Sequence, residues 1–185
     1  VYIVFMTIPV ADALFLLQSR KRLTTLGAWV WKGNRDKRPA LLIFQSRVAI
    51  ESALPRGLWF RISIIPQFPN SAAFQLDIEK PGERSHLELY RLDWRPPSGH
   101  ANGMGQDCPE DLRGLIFAPG QTHEHICTDN LANAEGRLRA SGVKAARKIE
   151  PDLVNYNEAL RYVCGRLFIE NGNDIPVSNA QTELF

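Results

Sequence analysis

The chain has few cysteines and no long apolar run, and each absence argues against a class of protein. Three cysteines in 185 residues are too few, and odd in number, for the disulfide framework of a small secreted domain, so a reducing cytoplasm is the expected location. No stretch approaches the roughly 18 uninterrupted apolar residues of a membrane span. The apolar residues 1–5 lack the positive start of a secretory signal, and we expect them to lie outside the working fold if Met6 is the true start.

The sequence also lacks the short motifs that would name an activity. It has no Gly-x-Ser-x-Gly elbow, Walker sequence, dinucleotide fingerprint or EF-hand loop. The glycine-rich run from Gly99 to Gly105 is not followed by the Gly-Lys-Ser/Thr of a phosphate loop. A net charge of +2 is nearly balanced, so overall charge does not select a partner.

Composition and periodicity predict one α+β domain over residues 1–185. Four segments read as strands: residues 40–50 are rich in Leu, Ile, Phe and Val, and apolar residues alternate with others in residues 58–65, 73–79 and 86–94. This period of two predicts a central antiparallel sheet of four to six strands with one wet face. In the fourth segment the apolar positions change from Leu87 and Leu89 to Tyr90 and Leu92, which predicts a β-bulge near Leu89 and Tyr90.

Helical periodicity predicts an N-terminal helix and two C-terminal helices around this sheet. The first is predicted over residues 9–23, the second from about Asn130 to 148, and the last over residues 151–168. Residues 173–185 are predicted to form a loose tail. Between sheet and helices, residues 95–122 have little periodicity, and a connection this long is typical of a binding or lid loop, with a plain surface excursion as the alternative.

The most informative stretch runs from His123 to Asp129 and holds two of the four histidines, one cysteine and two carboxylates. In an extended chain alternate side chains share a face, so His123, His125, Cys127 and Asp129 are predicted to point the same way. These residue types bind zinc, and His100 or Cys108 could complete the set from the preceding loop. Zinc is therefore a candidate cofactor, although the spacing matches no standard zinc finger.

A metal-free site is the alternative interpretation of the same residues. Histidine titrates near neutral pH and suits acid–base cleavage of RNA, for which His100, His123 and His125 are candidates. Arg91 or Arg95 would bind the phosphate because guanidinium donors are forked, and Glu124 or Asp129 would orient an imidazole. Ordinary structural hydrogen bonding by the histidines stays open as well.

Two further groups of charges are candidates for substrate binding. In the segment 91–95, alternation places Arg91, Asp93 and Arg95 on one face, either as a pre-organised anion site or as an ordinary row of ion pairs. The predicted helix over 137–148 carries five basic residues and no acid: Arg137, Arg139, Lys144, Arg147 and Lys148. These residues predict a nucleic-acid contact, with a solvated helix face as the alternative.

These patterns favour a small intracellular nuclease or related phosphate-ester hydrolase, of the toxin or phage-defence kind. The alternative is a non-catalytic module that binds nucleic acid, such as RNA, or protein, similar to an antitoxin or inhibitor, with structural histidines and with or without a stabilising zinc. The arrangement in space discriminates between them. A hydrolase requires His100, His123, His125, Arg91 and Asp93 to converge on one cleft.

Overall fold

A computed structural model describes residues 8–33, 40–51, 55, 57–79, 85–129 and 143–178. The α-helices of these segments are α1 (Val10–Gln18) and α2 (Tyr156–Arg166). The strands are β1 (Lys21–Leu23), β2 (Val30–Lys32), β3 (Leu41–Ile50), β4 (Leu58–Ile64), β5 (Ala72–Glu79), β6 (His86–Trp94), β7 (His100–Ala101), β8 (Ile116–Phe117), β9 (His123–Ile126) and β10 (Ala146–Lys148). Short 3-10 helices cover Glu110–Leu112, Cys127–Asp129 and Gly172–Asp174.

Eight of these strands form one antiparallel sheet, in the order β1-β3-β4-β5-β6-β9-β10, with β2 also paired to β3. Strands β7 and β8 form a separate hairpin. The predicted α+β class and antiparallel sheet are confirmed, but the described sheet has eight strands rather than four to six. The strands missed by the prediction have three or four residues, too few to show a period of two.

Alternation along the long strands divides the sheet into an apolar and a polar face. In β4, Leu58, Phe60, Ile62 and Ile64 are buried, and the residues between them are partly exposed. The apolar face packs against both helices, since Ala13 and Leu17 of α1 and Val163 of α2 belong to the same core cluster. The helices leave the opposite, polar face uncovered, and residues 96–99 of the long loop lie over it. A site can therefore form on the polar face.

The predicted bulge in β6 is confirmed. Leu76 of β5 faces Tyr90, and the next residue, Asp77, faces Glu88, so Leu89 is the extra residue. The extra residue lets both Leu89 and Tyr90 be buried. It also resets the alternation so that Arg91 and Asp93 point to the polar face.

The structure corrects the predicted ends of the helices and the tail. Helix α1 ends at Gln18 rather than residue 23, because residues 21–23 pair with β3. Of the predicted helix from Asn130, residues 130–142 lie outside the described residues, and residues 146–148 are strand β10. The first part of the tail is packed rather than loose, since Ile175 is buried and the carbonyl of Pro176 accepts a 2.7 Å hydrogen bond from Trp29 Nε1. Neither described helix has the length and apolarity needed to cross a membrane.

A buried lysine joins the two helices to the edge of the sheet. Lys21 in β1 is 1% exposed, and its ammonium donates to the carbonyls of Leu17 at 2.9 Å, Ser19 at 2.8 Å and Leu167 at 2.8 Å. These carbonyls lie at the ends of α1 and α2, where helices leave unpaired acceptors and where positive charge is favourable. Burial lowers the pKa of Lys21 to about 8.

We predict that Lys21→Met lowers the free energy of unfolding by about 3 kcal/mol, because it leaves buried carbonyls without a donor. The neighbouring Arg20→Met is the matched control, since the Arg20 side chain is 83% exposed and approaches Glu170 only at 4.0 Å. Denaturant unfolding of the two variants measures the difference, and equal stabilities would show that Lys21 does not join the helices.

Candidate functional site

The pairing of β6 with β9 places four of the predicted site residues side by side. Asp93 is the register partner of His123, and Arg91 is the register partner of His125. Paired residues project from the same face of a sheet, so all four side chains lie on the polar face. The predicted alternation therefore brings these four side chains together.

Asp93 is the centre of this group. Its Oδ2 lies 3.6 Å from His123 Nε2 and 3.4 Å from His125 Nε2, and its Oδ1 accepts a 2.8 Å hydrogen bond from Arg91 Nε. Burial alone would raise the pKa of Asp93, but its contacts with His125 and Arg91 outweigh burial and hold the pKa below its ordinary value. Asp93 is therefore a carboxylate at neutral pH.

The third histidine enters from the long loop after β6. His100 begins β7, which pairs with β8 so that His100 faces Phe117. Gly99 makes this pairing possible, since a Cβ there would lie 2.8 Å from the carbonyl oxygen of Phe117. One ring nitrogen from each of His100, His123 and His125 lies within 4.8 Å of the other two. The three imidazoles that the sequence only suggested as a group thus converge on one point.

Asn102 fixes the end of this loop against the edge of the sheet. Its side-chain amide donates to the carbonyl of Ala146 at 2.7 Å and of Leu112 at 2.8 Å, and its Oδ1 accepts the Ala146 N–H at 2.8 Å. The same Oδ1 lies 3.0 Å from His100 Nε2. Since both amide hydrogens are used, His100 Nε2 is the donor in this contact, and His100 Nδ1 carries the lone pair.

Backbone carbonyls fix the other two imidazoles in the opposite tautomer. His123 Nδ1 lies 2.9 Å from the carbonyl oxygen of Gln121, and His125 Nδ1 lies 3.1 Å from that of Ala145. A carbonyl can only accept, so Nδ1 carries the hydrogen in both rings and Nε2 carries the lone pair. In the neutral rings, both lone pairs then face the carboxylate of Asp93.

When both rings are neutral, the centre of the group is electron-rich, because lone pairs on His123 Nε2 and His125 Nε2 face Oδ2 of Asp93 without a donor between them. A proton on His125 Nε2 relieves this repulsion and gives the hydrogen bond that lowers the pKa of Asp93, and a metal cation would relieve the repulsion as well. Burial lowers the pKa of His123, although the carbonyl of Gln121 and the charge of Asp93 act in the other direction. The arrangement can therefore hold a proton or a metal cation at its centre.

A cavity opens beside the group on the polar face. Its volume is about 630 Å³. It is lined by Leu41, Ser63, Ile65, Ser71, Ala72, Ala73, Gln75, Arg91, Asp93, Pro96, Pro97, Ser98, Gly99, His100 and His123. The first part of the long loop, residues 96–99, thus forms one wall, as expected for a binding loop.

Glu124 does not orient an imidazole, which corrects the prediction for this residue. It lies between His123 and His125 in β9, so its side chain points to the apolar face. There its Oε2 accepts hydrogen bonds from Tyr90 at 3.0 Å and Tyr162 at 3.3 Å, and lies 3.5 Å from Arg166 Nε. Because side chains alternate along a strand, Glu124 has to lie on the opposite face from His123 and His125.

Cys127 and Asp129 also lie away from the histidines. The strand ends at Ile126 and a 3-10 helix follows, so the alternation that would have aligned them stops. Burial raises the pKa of Cys127 to about 12, which disfavours the thiolate that binds metals. Asp129 instead forms a two-point ion pair with Arg147, at 2.6 and 2.7 Å.

The other predicted cations that the structure describes do not line the cavity with Arg91. Arg95 follows the strand with a φ of 46°, and its guanidinium lies 5.6 Å from the ring centroid of Trp94, so it does not share the face of Asp93. Lys148 in β10 is exposed and pairs in register with His123. Arg147 forms its ion pair with Asp129 instead. Lys144 is described but adopts no helix, and Arg137 and Arg139 lie outside the described residues.

Sequence reasoning missed Asn102 as a residue of the site. A single asparagine in a glycine-rich loop resembles any turn residue, and nothing in its spacing indicates that it contacts a strand 44 positions later. No protein-family model, curated protein or solved structure matches this chain.

We predict that the site histidines of the chelator-treated protein at pH 8 have fixed tautomers. His123 and His125 should carry hydrogen on Nδ1, and His100 should carry it on Nε2, because carbonyl and amide oxygens select these forms. Long-range ¹H–¹⁵N correlation spectra measure the tautomers. The exposed His86 is the internal reference, and averaged signals from all four rings would contradict the prediction.

Proposed function

We propose that this protein is a metal-dependent hydrolase of phosphate esters, with a zinc-class ion bound by His100, His123 and His125. The observation that supports this most is the convergence of three imidazole ring nitrogens beside a buried carboxylate. One proton can bridge only one of the contacts that Oδ2 of Asp93 makes with the two imidazoles. A metal ion satisfies all three nitrogens at once.

The dimensions of the group suit such an ion. Tetrahedral zinc with bonds of about 2.0–2.1 Å separates its ligand atoms by about 3.3 Å. The imidazole nitrogens lie within 4.8 Å of one another and would draw in slightly to reach this separation. Metal-binding histidines usually donate their other ring N–H to an oxygen, and all three rings have such a partner.

The same convergence disfavours the metal-free nuclease. In an in-line displacement the attacking and leaving oxygens lie on opposite sides of phosphorus, so an acid and a base must flank the phosphate. Imidazoles that point at one shared centre do not leave this space. For this reason we assign the histidines as ligands rather than as an acid–base pair.

Asp93 and Arg91 supply the remaining groups. Bound zinc would supply a nucleophile at neutral pH, since it lowers the pKa of a coordinated water to about 7. Asp93 would accept a proton from that water, and Arg91 would supply a permanent cation for the phosphate. The water oxygen would bond to phosphorus while the ester P–O bond breaks, and the alcohol would leave with the proton that Asp93 had accepted.

A zinc-stabilised binding module is the second candidate, favoured by the burial of His123 and His125, which are 1% and 4% exposed. Structural zinc sites are usually closed by four protein ligands, whereas catalytic sites keep an open position. Here two of the three imidazoles, His100 and His123, also line the cavity, so a ligand in the cavity would reach the ion, and this favours the hydrolase.

We predict that the purified protein binds about one equivalent of zinc per chain and that His123→Ala and His125→Ala reduce the affinity by at least about a hundredfold, since each removes a ligand. His86→Ala, which changes the histidine at the far end of β6, should bind like the wild type. Metal analysis and competition with a chromophoric chelator measure this. Stoichiometric binding that survives both alanine substitutions would contradict the assignment.

Activity is tested on the same proteins with phosphate monoesters, phosphate diesters and RNA. Zinc-loaded wild type and His86→Ala should hydrolyse a phosphate ester, and the two ligand variants should not. A zinc-loaded protein that is stabilised by metal but hydrolyses none of these substrates is the result expected of the binding module.

We predict that zinc affinity is constant above about pH 7 and falls steeply below about pH 6, because protons compete for the ligand nitrogens. The pKa of His123 is lowered by burial, so its ring stays neutral to a lower pH than a free histidine. The unfolded chain then binds more protons than the folded one, and the metal-free protein should also lose stability as pH falls through 6.5. Chelator competition and denaturant unfolding at each pH check both statements, and a flat profile from pH 8 to 5 would contradict them.

A further inference from the structure

The cavity beside the histidines has the size of a small-molecule site. Its volume of about 630 Å³ lies within the roughly 300–1,000 Å³ typical of small-ligand pockets. Its floor is the polar face of the sheet, and residues 96–99 close one side. A strand of nucleic acid instead needs a groove that continues past the reacting nucleotide.

The charge of the cavity wall points to one anionic group on the ligand. Arg91 is the only lysine or arginine among the described lining residues. Asp93 holds its Nε, and the side chain remains 38% exposed, so the guanidinium end faces the cavity from a fixed position. Contacts with Asp93 raise the pKa of Arg91 although burial opposes this, so the cation is permanent.

The other described cations that the sequence suggested for nucleic acid are not among the residues that line the cavity. Arg95 lies over Trp94, Arg147 is paired with Asp129 on the apolar face, and Lys148 pairs in register with His123 but lies outside the lining. Nucleic-acid binding without a track of cations loses most of its affinity, since phosphate neutralisation dominates it. The neutral part of the wall carries the hydroxyls of Ser63, Ser71 and Ser98 and the amide of Gln75.

We propose that this cavity binds a small phosphate monoester, with the phosphate between Arg91 and the histidine centre and its organic group over Ala73 and Ser63. The identification of the substrate class rests on the proposed function. The binding site itself does not, because phosphate binding is measurable without turnover. Neutral hydroxyls and short apolar side chains surround the organic group, so a polar group of modest size is expected there.

Binding to the zinc-loaded protein tests the site with two probes, inorganic phosphate and p-nitrophenyl phosphate. Arg91→Gln should weaken both by about ten- to hundredfold, the value of a charge-assisted hydrogen bond. Ala73→Leu projects into the cavity and should weaken p-nitrophenyl phosphate by about tenfold or more, because it removes the space for the ring, while phosphate changes little. Zinc content and thermal unfolding of each variant show that the centre is intact.

Two substitutions outside the cavity are the matched controls. Arg47→Gln removes an exposed cation that lies over Trp59, and Ala49→Leu enlarges a residue of β3 that does not line the cavity. Neither should change the binding of either probe. Equal effects of Arg91→Gln and Arg47→Gln would overturn the phosphate site.

A single-stranded oligonucleotide separates the two substrate classes. Binding of the oligonucleotide as tight as that of the monoester, and unaffected by Ala73→Leu, would overturn the small-substrate inference while leaving the hydrolase in place. Monoester binding with the predicted variant pattern but no hydrolysis would support the site and reject the proposed function. Hydrolysis of the monoester that both Arg91→Gln and Ala73→Leu impair would support both.

Discussion

The register between β6 and β9 is the constraint on which the site depends. It places Asp93 beside His123 and Arg91 beside His125 on one face of the sheet. A slip of β9 by one residue would turn His123 and His125 toward the core and bring Glu124 to the polar face. The bulge at Leu89 protects this register, because it sets the alternation of β6 before the paired segment begins.

Strand β9 is also held on the apolar face of the sheet, by a buried polar network. Glu124 accepts from Tyr90 and Tyr162 on the apolar face, and burial and Glu124 raise the pKa of both phenols, so both remain donors at neutral pH. A carboxylate left unpaired in that position would destabilise the fold, so the phenols compensate its burial. β9 is thereby fixed on both faces: by the network behind it and by the carbonyls that hold His123 and His125 in front. A site in which small displacements matter gains from such a rigid support.

Sequence patterns predicted the part of this arrangement that follows from a period of two. They gave the long strands, the bulge near Leu89, and the shared face of Arg91 and Asp93. Alternation also placed His123 and His125 on one face. It was not applied to Glu124, which was predicted from its residue type to orient an imidazole and lies on the other face. Where the period ended, prediction failed: Cys127 and Asp129 leave the strand in a 3-10 helix, and the basic residues near 147 lie in a short strand rather than a helix. Three-residue strands are stabilised by their partners in the sheet, and their own sequence carries no sign of this.

The position of His100 depends on contacts that no local pattern encodes. The loop after β6 has to return over the polar face, and Gly99 and Asn102 make this possible through a close backbone approach and four hydrogen bonds. Asn102 takes the place of a strand residue next to Ala146, since it both donates to and accepts from that backbone. The amide that closes the edge of the sheet also determines which nitrogen of His100 carries the hydrogen. The contacts of Asn102 that close the loop therefore also position the imidazole of His100. A change that opens the loop would move the His100 ring away from His123 and His125.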